Sequence, residues 1–240
     1  MMDINSDMGE GFGAWEMGND AHLLDYITST NIACGWHAGD PSRMKKLVQL
    51  AAEKNVYIGA HPGLPDLEGF GRREMAISEN DAYNYVLYQA GALQAFAHAA
   101  GSTLHHVKPH GALYNQAAKD IKIARGIASA VRDLGSKVIL YGLAGSCLVD
   151  AANELSVPVW QEVFADRRYT KEGFLVPRNQ AGALIEDESL ALDQAMKMAK
   201  QGEIISIDGS TIKIQADTLC IHGDNPHALQ FAKKIQAALG

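Results

Sequence analysis

Short runs of apolar and β-branched residues alternate with longer helix-patterned segments along the whole chain, and this alternation is the feature that most constrains the fold. The predicted strands span residues 2–5, 31–33, 56–60, 103–107, 137–141, 158–163 and 218–221. Repeated β-then-α units with buried strands imply a parallel sheet flanked by helices. Seven such units predict an α/β fold, an irregular seven-stranded (β/α) barrel, with an open doubly wound sheet as the alternative.

The segments between the strands carry helix start signals. Predicted helices span residues 41–54, 79–100, 121–134, 146–155, 190–201 and 226–239. Asp40 stands at the N-cap position before Pro41, which suits the first position of a helix. Residues 204–214 carry an Asp-Gly pair between two alternating runs and predict a hairpin. Because the chain has no linker composition and no internal repeat, we expect one domain over residues 1–240.

Composition and charge narrow the class of protein. A formal net charge of -7 and a pI near 5.7 argue against a nucleic-acid or anionic-membrane surface, because both need concentrated positive charge. The three cysteines are far apart and form no CxxC pair, which favours a reducing compartment. No stretch resembles a secretory leader or the roughly 20 apolar residues of a membrane span. We therefore expect a cytoplasmic protein that binds neither nucleic acid nor membrane.

Polar residues able to do chemistry cluster where the predicted strands end. In a parallel barrel the active residues lie just beyond the carboxyl ends of the strands. In chain order, these loops contain Asn5, Asp7, Glu10, His37, Asp40, His61, Asp66, Lys108, His110, Tyr114, Asn115, Asp166, Arg167, His222 and Asp224. Independent structural histidines should not all fall at strand ends. The sequence therefore predicts a site at one mouth of the barrel.

Several of these positions also have a structural interpretation. Asp40 and Asp224 each precede a proline near a helix start, so helix capping alone accounts for either of them. One of the adjacent His105 and His106 is expected to face the barrel interior and the other the helix layer or solvent, since strand side chains alternate. Residues 165–187 show little periodicity and are either a lid or an ordinary excursion over the barrel mouth.

The side chains at the strand ends support two kinds of chemistry. Imidazoles and carboxylates that converge on one point hold a divalent ion, which polarises a carbonyl and lowers the pKa of a bound water. The same groups without a metal serve general acid–base catalysis on an amide. No HExxH or CxxC pattern decides between them, and no GxxxxGK[ST] nucleotide motif is present. Lys108 fits either a Schiff-base nucleophile or an oxyanion stabiliser.

Six segments, taken in order, resemble the signature segments of the LamB/YcsF family. They read DINSDMGEGFG, NIACGWHAGDP, GAHPGLPDLEGFGRRE, HVKPHGALYN, EVFADRRYTKEGFLVPR and CIHGDNP. Together they run from Asp3 to Pro226, nearly the whole chain, whereas any one alone would be a weak signal. The resemblance implies a (β/α) barrel of the glycoside hydrolase/deacetylase type.

The resemblance also implies an activity. Members of the family belong to the bacterial ATP-dependent 5-oxoprolinase complex, which opens 5-oxoproline, a small anionic lactam, to glutamate while ATP is cleaved to ADP and phosphate. It implies partner subunits B and C and ATP binding by the assembled complex. Since this chain has no nucleotide motif, phosphorylation of the lactam oxygen is expected mainly on the partners. A divalent metal is implied by analogy with related barrel deacetylases.

The family motifs and the strand ends together assign expected roles. The catalytic set is Asp7, Glu10, Lys108, His110 and Asp166. The substrate-binding set is Arg167, whose guanidinium would hold the α-carboxylate, with Tyr114, Asn115, Asp40 and Asp224. The metal ligands would be Asp7, His37, His61 and His222. Two alternatives stay open: a stand-alone metal-dependent amidohydrolase or deacetylase, and a non-catalytic member of the complex.

Overall fold

The structure is a computed structural model that describes residues 2–15, 20–221 and 228–239. Its strands are β1 (Asp3–Met8), β2 (Ser29–Ala33), β3 (Tyr57–His61), β4 (Leu104–Val107), β5 (Ile139–Leu143), β6 (Val159–Phe164), β7 (Glu203–Ile205), β8 (Thr211–Lys213) and β9 (Thr218–Cys220). Seven of them form a closed barrel in the order β1-β2-β3-β4-β5-β6-β9, with parallel pairing throughout. The predicted seven-stranded (β/α) barrel is confirmed, and the open-sheet alternative is wrong.

The helices surround the barrel. They are α1 (Asp20–Leu23), α2 (Pro41–Glu53), α3 (Glu79–Ala99), α4 (Gly111–Ala117), α5 (Ile121–Leu134), α6 (Cys147–Glu154), α7 (Glu188–Gln201) and α8 (Ala228–Leu239). The sequence did not predict α1 or α4, because helices this short show no clear periodicity. The antiparallel pairing of β7 with β8 confirms the predicted hairpin.

Strand β1 extends further than predicted. The sequence placed its end at residue 5, but the strand continues to Met8, so Asp7 lies within the strand and not after it. The reason is that the barrel interior is unusually polar. Asn5 and Asp7 both accept hydrogen bonds from Asn31 on β2. A strand prediction that relies on runs of apolar residues ends too early where strand positions carry polar side chains of this kind.

The helix layer supplies the apolar core outside the barrel. Helices α3 and α5 pack closely against each other, and their inward side chains include the fully buried Val86, Leu93, Ile127 and Val131. Burying each such side chain contributes roughly 1.5–3 kcal/mol relative to leaving it exposed. This layer holds the strands in place while the barrel interior is free to carry polar groups.

Contacts between strands that are not neighbours cross the barrel interior. His106 on β4 lies with Nε2 2.7 Å from Asn31 Oδ1 on β2, and its ring stacks on Tyr141 with centroids 3.9 Å apart. A Cβ on Gly59 would lie 2.0 Å from His106 Nε2, so glycine is required there. His105 faces outward, where its ring stacks on the exposed Tyr57. Of the two adjacent histidines, it is therefore His106 that faces the barrel interior.

In the described part of the chain, no helix combines the length and apolar character needed to cross a membrane.

Candidate active site

A cavity of about 450 Å³ lies at the carboxyl ends of the barrel strands. Five strand ends contribute to its lining through Asp7, His61, Lys108, Leu143 and Phe164. Residues 174–179 close one side of it. This is the end of the barrel where the sequence placed the site.

Lys108 lies at the base of the cavity with its ammonium between two carboxylates. Its Nζ is 2.9 Å from Asp7 Oδ1 and 2.8 Å from Glu162 Oε1, and it also donates to Asn5 Oδ1 at 3.2 Å. Burial lowers the pKa of Lys108, but Asp7, Cys220 and Glu162 together raise that pKa well above its usual value. Lys108 is therefore a protonated ammonium at neutral pH, which favours the oxyanion-stabilising role over the Schiff-base nucleophile.

Glu162 is a site residue that the sequence analysis missed. It lies in β6 with no solvent exposure, and besides Lys108 it contacts Tyr114, whose hydroxyl donates to Glu162 Oε2 at 2.7 Å. Burial and the nearby carboxylate raise the pKa of Tyr114 well above its usual value, so the phenol keeps its proton. A glutamate inside a buried strand is rare unless it is paired, and that rarity was the available signal.

Three histidine rings stand together beside this ion cluster. His61 Nε2 lies 3.0 Å from His110 Nδ1 and 3.4 Å from Asp7 Oδ2. The ring of His37 is parallel to that of His110, with centroids 3.8 Å apart. Burial lowers the pKa of both His37 and His110 well below the usual value, so both rings are neutral at pH 7. Gly71 has a φ of 64°, and a Cβ there would lie 2.7 Å from His37 Cβ, so glycine admits the stacked pair.

A set of donors suited to a metal ion lies in this cluster. One ligand atom from each of Glu10, His37, His61 and His110 lies within 4.8 Å of the others. The predicted ligand set shares His37 and His61 with this group. Imidazole and carboxylate donors at such spacing suit a divalent cation that takes nitrogen and oxygen ligands.

Arg167 occupies the wall formed by the long segment after β6. Its side chain is buried, and Nη2 donates to Val176 O at 2.7 Å. Burial lowers the pKa of Arg167 to about 10, so the guanidinium stays charged at neutral pH. Its Nε has no hydrogen-bond partner within the described ranges, which leaves a charged donor at the cavity wall. Arg72 and Arg178 line the same cavity.

The long segment predicted over residues 165–187 is held down by backbone hydrogen bonds. Arg168 N donates to Ala183 O, and Val176 N donates to Arg168 O, each at 2.9 Å. It contributes Arg167 and residues 174–179 to the cavity, so it forms a wall of the site. Of the two interpretations of this segment, a lid or an ordinary excursion over the barrel mouth, the second describes this arrangement.

Several predicted site residues are not brought to the cavity. Asp40 is the N-cap of α2, accepting from Ser42 N at 2.9 Å and Arg43 N at 3.0 Å, so the capping interpretation accounts for it and its predicted substrate-binding role loses support. The backbone hydrogen bonds of Arg43, Gly13 and Ser42 lower the pKa of Asp40 despite some desolvation.

Asp166 also lies outside the cavity lining, although the next residue, Arg167, belongs to it. His222 and Asp224 lie outside the described residues. Tyr114 and Asn115 both line the cavity, as does Glu10.

The arrangement combines two chemical capabilities. Lys108 and the arginines supply fixed positive charge in a partly enclosed site, where charge stabilisation is stronger than in water. The neutral histidines and the carboxylates of Asp7 and Glu10 supply groups that accept and donate protons. Such a site suits a small polar substrate that is itself anionic and develops further negative charge during reaction.

Comparison with known proteins gives consistent relatives. The LamB/YcsF family model matches residues 2–240. The A subunit of 5-oxoprolinase from Bordetella pertussis is 55% identical over 238 residues, which covers 99% of this chain and 94% of the relative. The protein of the same name from Bacillus subtilis is 54% identical, with 99% and 93% covered. The crystal structure of the lactam utilization protein from Thermus thermophilus is 44% identical with a TM-score of 0.92, covering 99% of this chain and 95% of that one.

Proposed function

The chain belongs to the LamB/YcsF family, and from this premise we propose that it is the A subunit of a 5-oxoprolinase that hydrolyses 5-oxoproline to L-glutamate. The names of its relatives, which refer to 5-oxoprolinase and to lactam utilization, support this substrate class. The observation that carries the proposal is the cavity of about 450 Å³ in which a buried lysine and several arginines meet carboxylates and histidines. These are the groups that a small anionic lactam requires for binding and ring opening.

ATP cleavage belongs to this proposal as a step carried mainly by partner subunits B and C. The lactam is an amide and resists direct attack by water. Transfer of the γ-phosphoryl group of ATP to the lactam oxygen releases ADP and makes the lactam carbon more electrophilic. Water then adds at that carbon, and the C–N bond breaks as the ring nitrogen takes a proton, which leaves an acyl phosphate. A second water hydrolyses the acyl phosphate to glutamate and phosphate. The absence of a Walker-type motif from the sequence supports a nucleotide site on a partner.

Residue roles in this chain follow from position. Arg167 would bind the α-carboxylate through its buried guanidinium. Lys108 would stabilise negative charge on the lactam oxygen by its fixed positive charge, since its Nζ already donates to Asn5, Asp7 and Cys220. Asp7 and His61 would orient the attacking water. His110 would act with His61 on that water.

The test is glutamate release from 5-oxoproline by the purified chain, alone and with subunits B and C, each with and without ATP. We expect glutamate only in the full mixture with ATP. Glutamate from the complete mixture after Lys108 and His110 have both been replaced would instead make this chain a non-catalytic member of the complex.

A second function is favoured by one observation, the donor cluster of Glu10, His37, His61 and His110. A stand-alone metal-dependent amidohydrolase would use such a cluster without phosphorylation of the substrate. Glutamate release by the isolated chain without ATP, lost on chelation of metal, would establish this alternative over the first.

A further inference from the structure

His61 and His110 form a row of three short contacts that ends on a backbone carbonyl at each side. His61 Nδ1 lies 2.7 Å from Lys108 O, His61 Nε2 lies 3.0 Å from His110 Nδ1, and His110 Nε2 lies 2.8 Å from Phe70 O. Both rings are buried. Every ring nitrogen of the pair is therefore engaged in a contact of hydrogen-bonding length.

Counting protons shows that two neutral rings do not satisfy this row. A neutral imidazole carries one ring proton, so the pair has two protons for three contacts. Carbonyl oxygens only accept, so the two outer nitrogens must carry those protons. The inner nitrogens, His61 Nε2 and His110 Nδ1, then both carry a lone pair and no proton, 3.0 Å apart. Such a contact is repulsive unless a positive species lies between the lone pairs.

The outer hydrogen bonds are those expected of metal-bound histidines. A ligating histidine almost always donates its other ring N–H to a carbonyl or carboxylate, which fixes the tautomer and the ring orientation. Phe70, whose carbonyl accepts from His110, has a φ of 55°, a left-handed conformation uncommon for a bulky residue. Backbone strain of this kind persists where the surroundings impose it and is concentrated at functional sites.

Two carboxylates lie beside the inner nitrogens of His61 and His110. Asp7 Oδ2 lies 3.4 Å from His61 Nε2, and Glu10 Oε1 lies 3.8 Å from His110 Nδ1. Donors of a tetrahedral site with bonds of about 2.0–2.1 Å are separated by about 3.3 Å. The three measured separations, 3.0, 3.4 and 3.8 Å, bracket that value.

Local charge favours a cation in the same place. Lys108 is a single positive charge between the carboxylates of Asp7 and Glu162, so this ion cluster carries one negative charge in excess. Glu10 is a further carboxylate at the edge of the site. A divalent cation is attracted to carboxylates, and more strongly in low-dielectric surroundings than in water.

His37 is oriented so that it does not share a cation with His110, although neither of its buried ring nitrogens has a hydrogen-bond partner among the described residues. Its ring is parallel to that of His110 at an interplanar angle of 5°, with centroids 3.8 Å apart. A cation in the plane of the His110 ring lies outside the plane of the His37 ring and off its lone-pair directions. The ring of His61, by contrast, is inclined at 85° to that of His110, and its Nε2 lies 3.0 Å from His110 Nδ1. His37 is a packing neighbour of the site.

We propose that a divalent cation of the zinc class binds between His61 Nε2 and His110 Nδ1, with Asp7 and Glu10 as the oxygen ligands. The site differs from the sequence prediction by including Glu10 and His110 and by excluding His37. A bound cation supplies Lewis-acid polarisation of a carbonyl oxygen in the cavity. That catalytic meaning rests on the proposed function, whereas binding of the cation is measured without any substrate.

The test is equilibrium binding to the purified chain after dialysis against EDTA, using Co²⁺ absorption spectra and Zn²⁺ calorimetry. We expect one cation per chain and an imidazole-ligand spectrum. His61→Asn should weaken binding by about 100-fold or more, since loss of even an outer-shell partner costs about 10- to 100-fold. The matched control is His105→Asn, a partly exposed histidine stacked on Tyr57, whose replacement should leave the affinity unchanged.

Glu10→Gln is the second variant and covers the case in which His61→Asn does not fold. It should weaken binding by about 10-fold. No binding by the wild-type chain, or equal binding by wild type and a folded Glu10→Gln or His61→Asn variant, overturns the proposal. An imidazole NMR spectrum taken with Zn²⁺ present that shows a third proton shared by His61 and His110 also overturns it. Cation binding without glutamate formation contradicts the proposed function alone.

Discussion

The barrel buries a polar network at each end, and the two differ in how completely their hydrogen-bonding groups are satisfied. At the amino ends of the strands, Asp3 is surrounded by neutral hydroxyl groups that donate to its carboxylate. These donors are Thr28, Ser29, Tyr141 and Thr218. One negative charge there has a full set of donors and no ion-pair partner is needed.

At the carboxyl ends, the network is built from charges and is incomplete. Lys108 pairs with two carboxylates, and the inner nitrogens of His61 and His110 oppose each other. This network faces a cavity of about 450 Å³. A network that closes on itself holds the barrel together, whereas one that lacks a partner on the cavity side is arranged to receive one. Both networks are buried, so burial does not distinguish the one that stabilises the barrel from the one that belongs to the site. The balance of protons and charges in each network does.

The largest effect is expected for Lys108→Met, which removes the buried ammonium from the network at the carboxyl ends of the strands. The change leaves Asp7 and Glu162 facing each other without compensation, and breaking a buried pair costs about 3–5 kcal/mol of unfolding free energy. Loss of the charge should also lower kcat of the assembled enzyme by about 100- to 1,000-fold. Denaturant unfolding and the glutamate assay measure the two effects.

The double variant Lys108→Met/Glu162→Gln separates these effects. Removing one carboxylate returns the cluster to the net charge that it has in the wild type and ends the repulsion between Asp7 and Glu162, so most of the unfolding free energy should return while kcat stays low. Lys137→Met, at an exposed position, is the control for loss of a lysine. Recovery of activity together with stability would mean that Lys108 acts only in folding, and the two networks would then be alike.

The next largest effect is expected for Asp3→Asn at the other end. Hydrogen bonds to a charged group contribute about 1.5–3 kcal/mol each, and the amide keeps some of them, so we expect a loss of about 2–4 kcal/mol. Because Asp3 does not line the cavity, kcat/KM of the folded protein should change by less than about twofold. A large fall in kcat with little change in stability would show that the network at the amino ends also serves the reaction.

The sequence predicts the barrel because its information is local: apolar runs and helix caps recur in order, and seven of them imply closure. The strand bounds were less accurate where polar side chains occupy strand positions, as with Asn5 and Asp7 in β1. The position of a site at the strand ends was also readable, since topology brings those ends together. Lys108, His61 and His110 were found in this way.

What could not be read was pairing across the barrel. Glu162 is separated from Lys108 by more than fifty residues, and only the closed structure brings their charges within 2.8 Å. The same holds for the opposing nitrogens of His61 and His110, whose meaning depends on two backbone carbonyls. Asp40, in contrast, carried two interpretations in the sequence, and the structure favours the local one.

Arg167→Ala tests the cavity wall and should have a smaller effect. Its guanidinium is held by Val176 O and faces the cavity, so its loss should remove binding of the substrate carboxylate and leave the barrel networks intact. A hydrogen bond to a charged group contributes about 1.5–3 kcal/mol, which corresponds to a rise in KM of about 10- to 150-fold.

The matched control for Arg167→Ala is Arg168→Ala, the adjacent arginine, which does not line the cavity. Its KM for 5-oxoproline should stay near the wild-type value. Equal KM values for the two variants would remove Arg167 from the substrate site and leave Arg72 and Arg178 as the remaining cavity arginines.

The smallest effect concerns His106, which lies between the two networks and touches both. It contacts Asn31, which donates to Asp7 of the network at the carboxyl ends, and it stacks on Tyr141 of the network at the amino ends. Burial lowers the pKa of His106 well below its usual value; the neighbouring groups His105, Lys108 and His61 lower that pKa further, and Asp7 opposes them.

The sign of the resulting pH dependence follows from proton binding. Below about pH 6.5 the unfolded chain protonates this histidine and the folded chain does not, so the unfolding free energy falls as pH falls, by at most about 1.4 kcal/mol per pH unit. His106→Gln should make that slope shallower between about pH 6.5 and 5.5, while at about pH 8, where the histidine is neutral in both states, the two proteins should differ only by a constant. Urea unfolding in EDTA, which keeps metal out of the balance, measures both. An unchanged slope would mean that His106 takes up a proton in the folded barrel. The charged network at the carboxyl ends would then extend into the middle of the barrel instead of ending at Lys108.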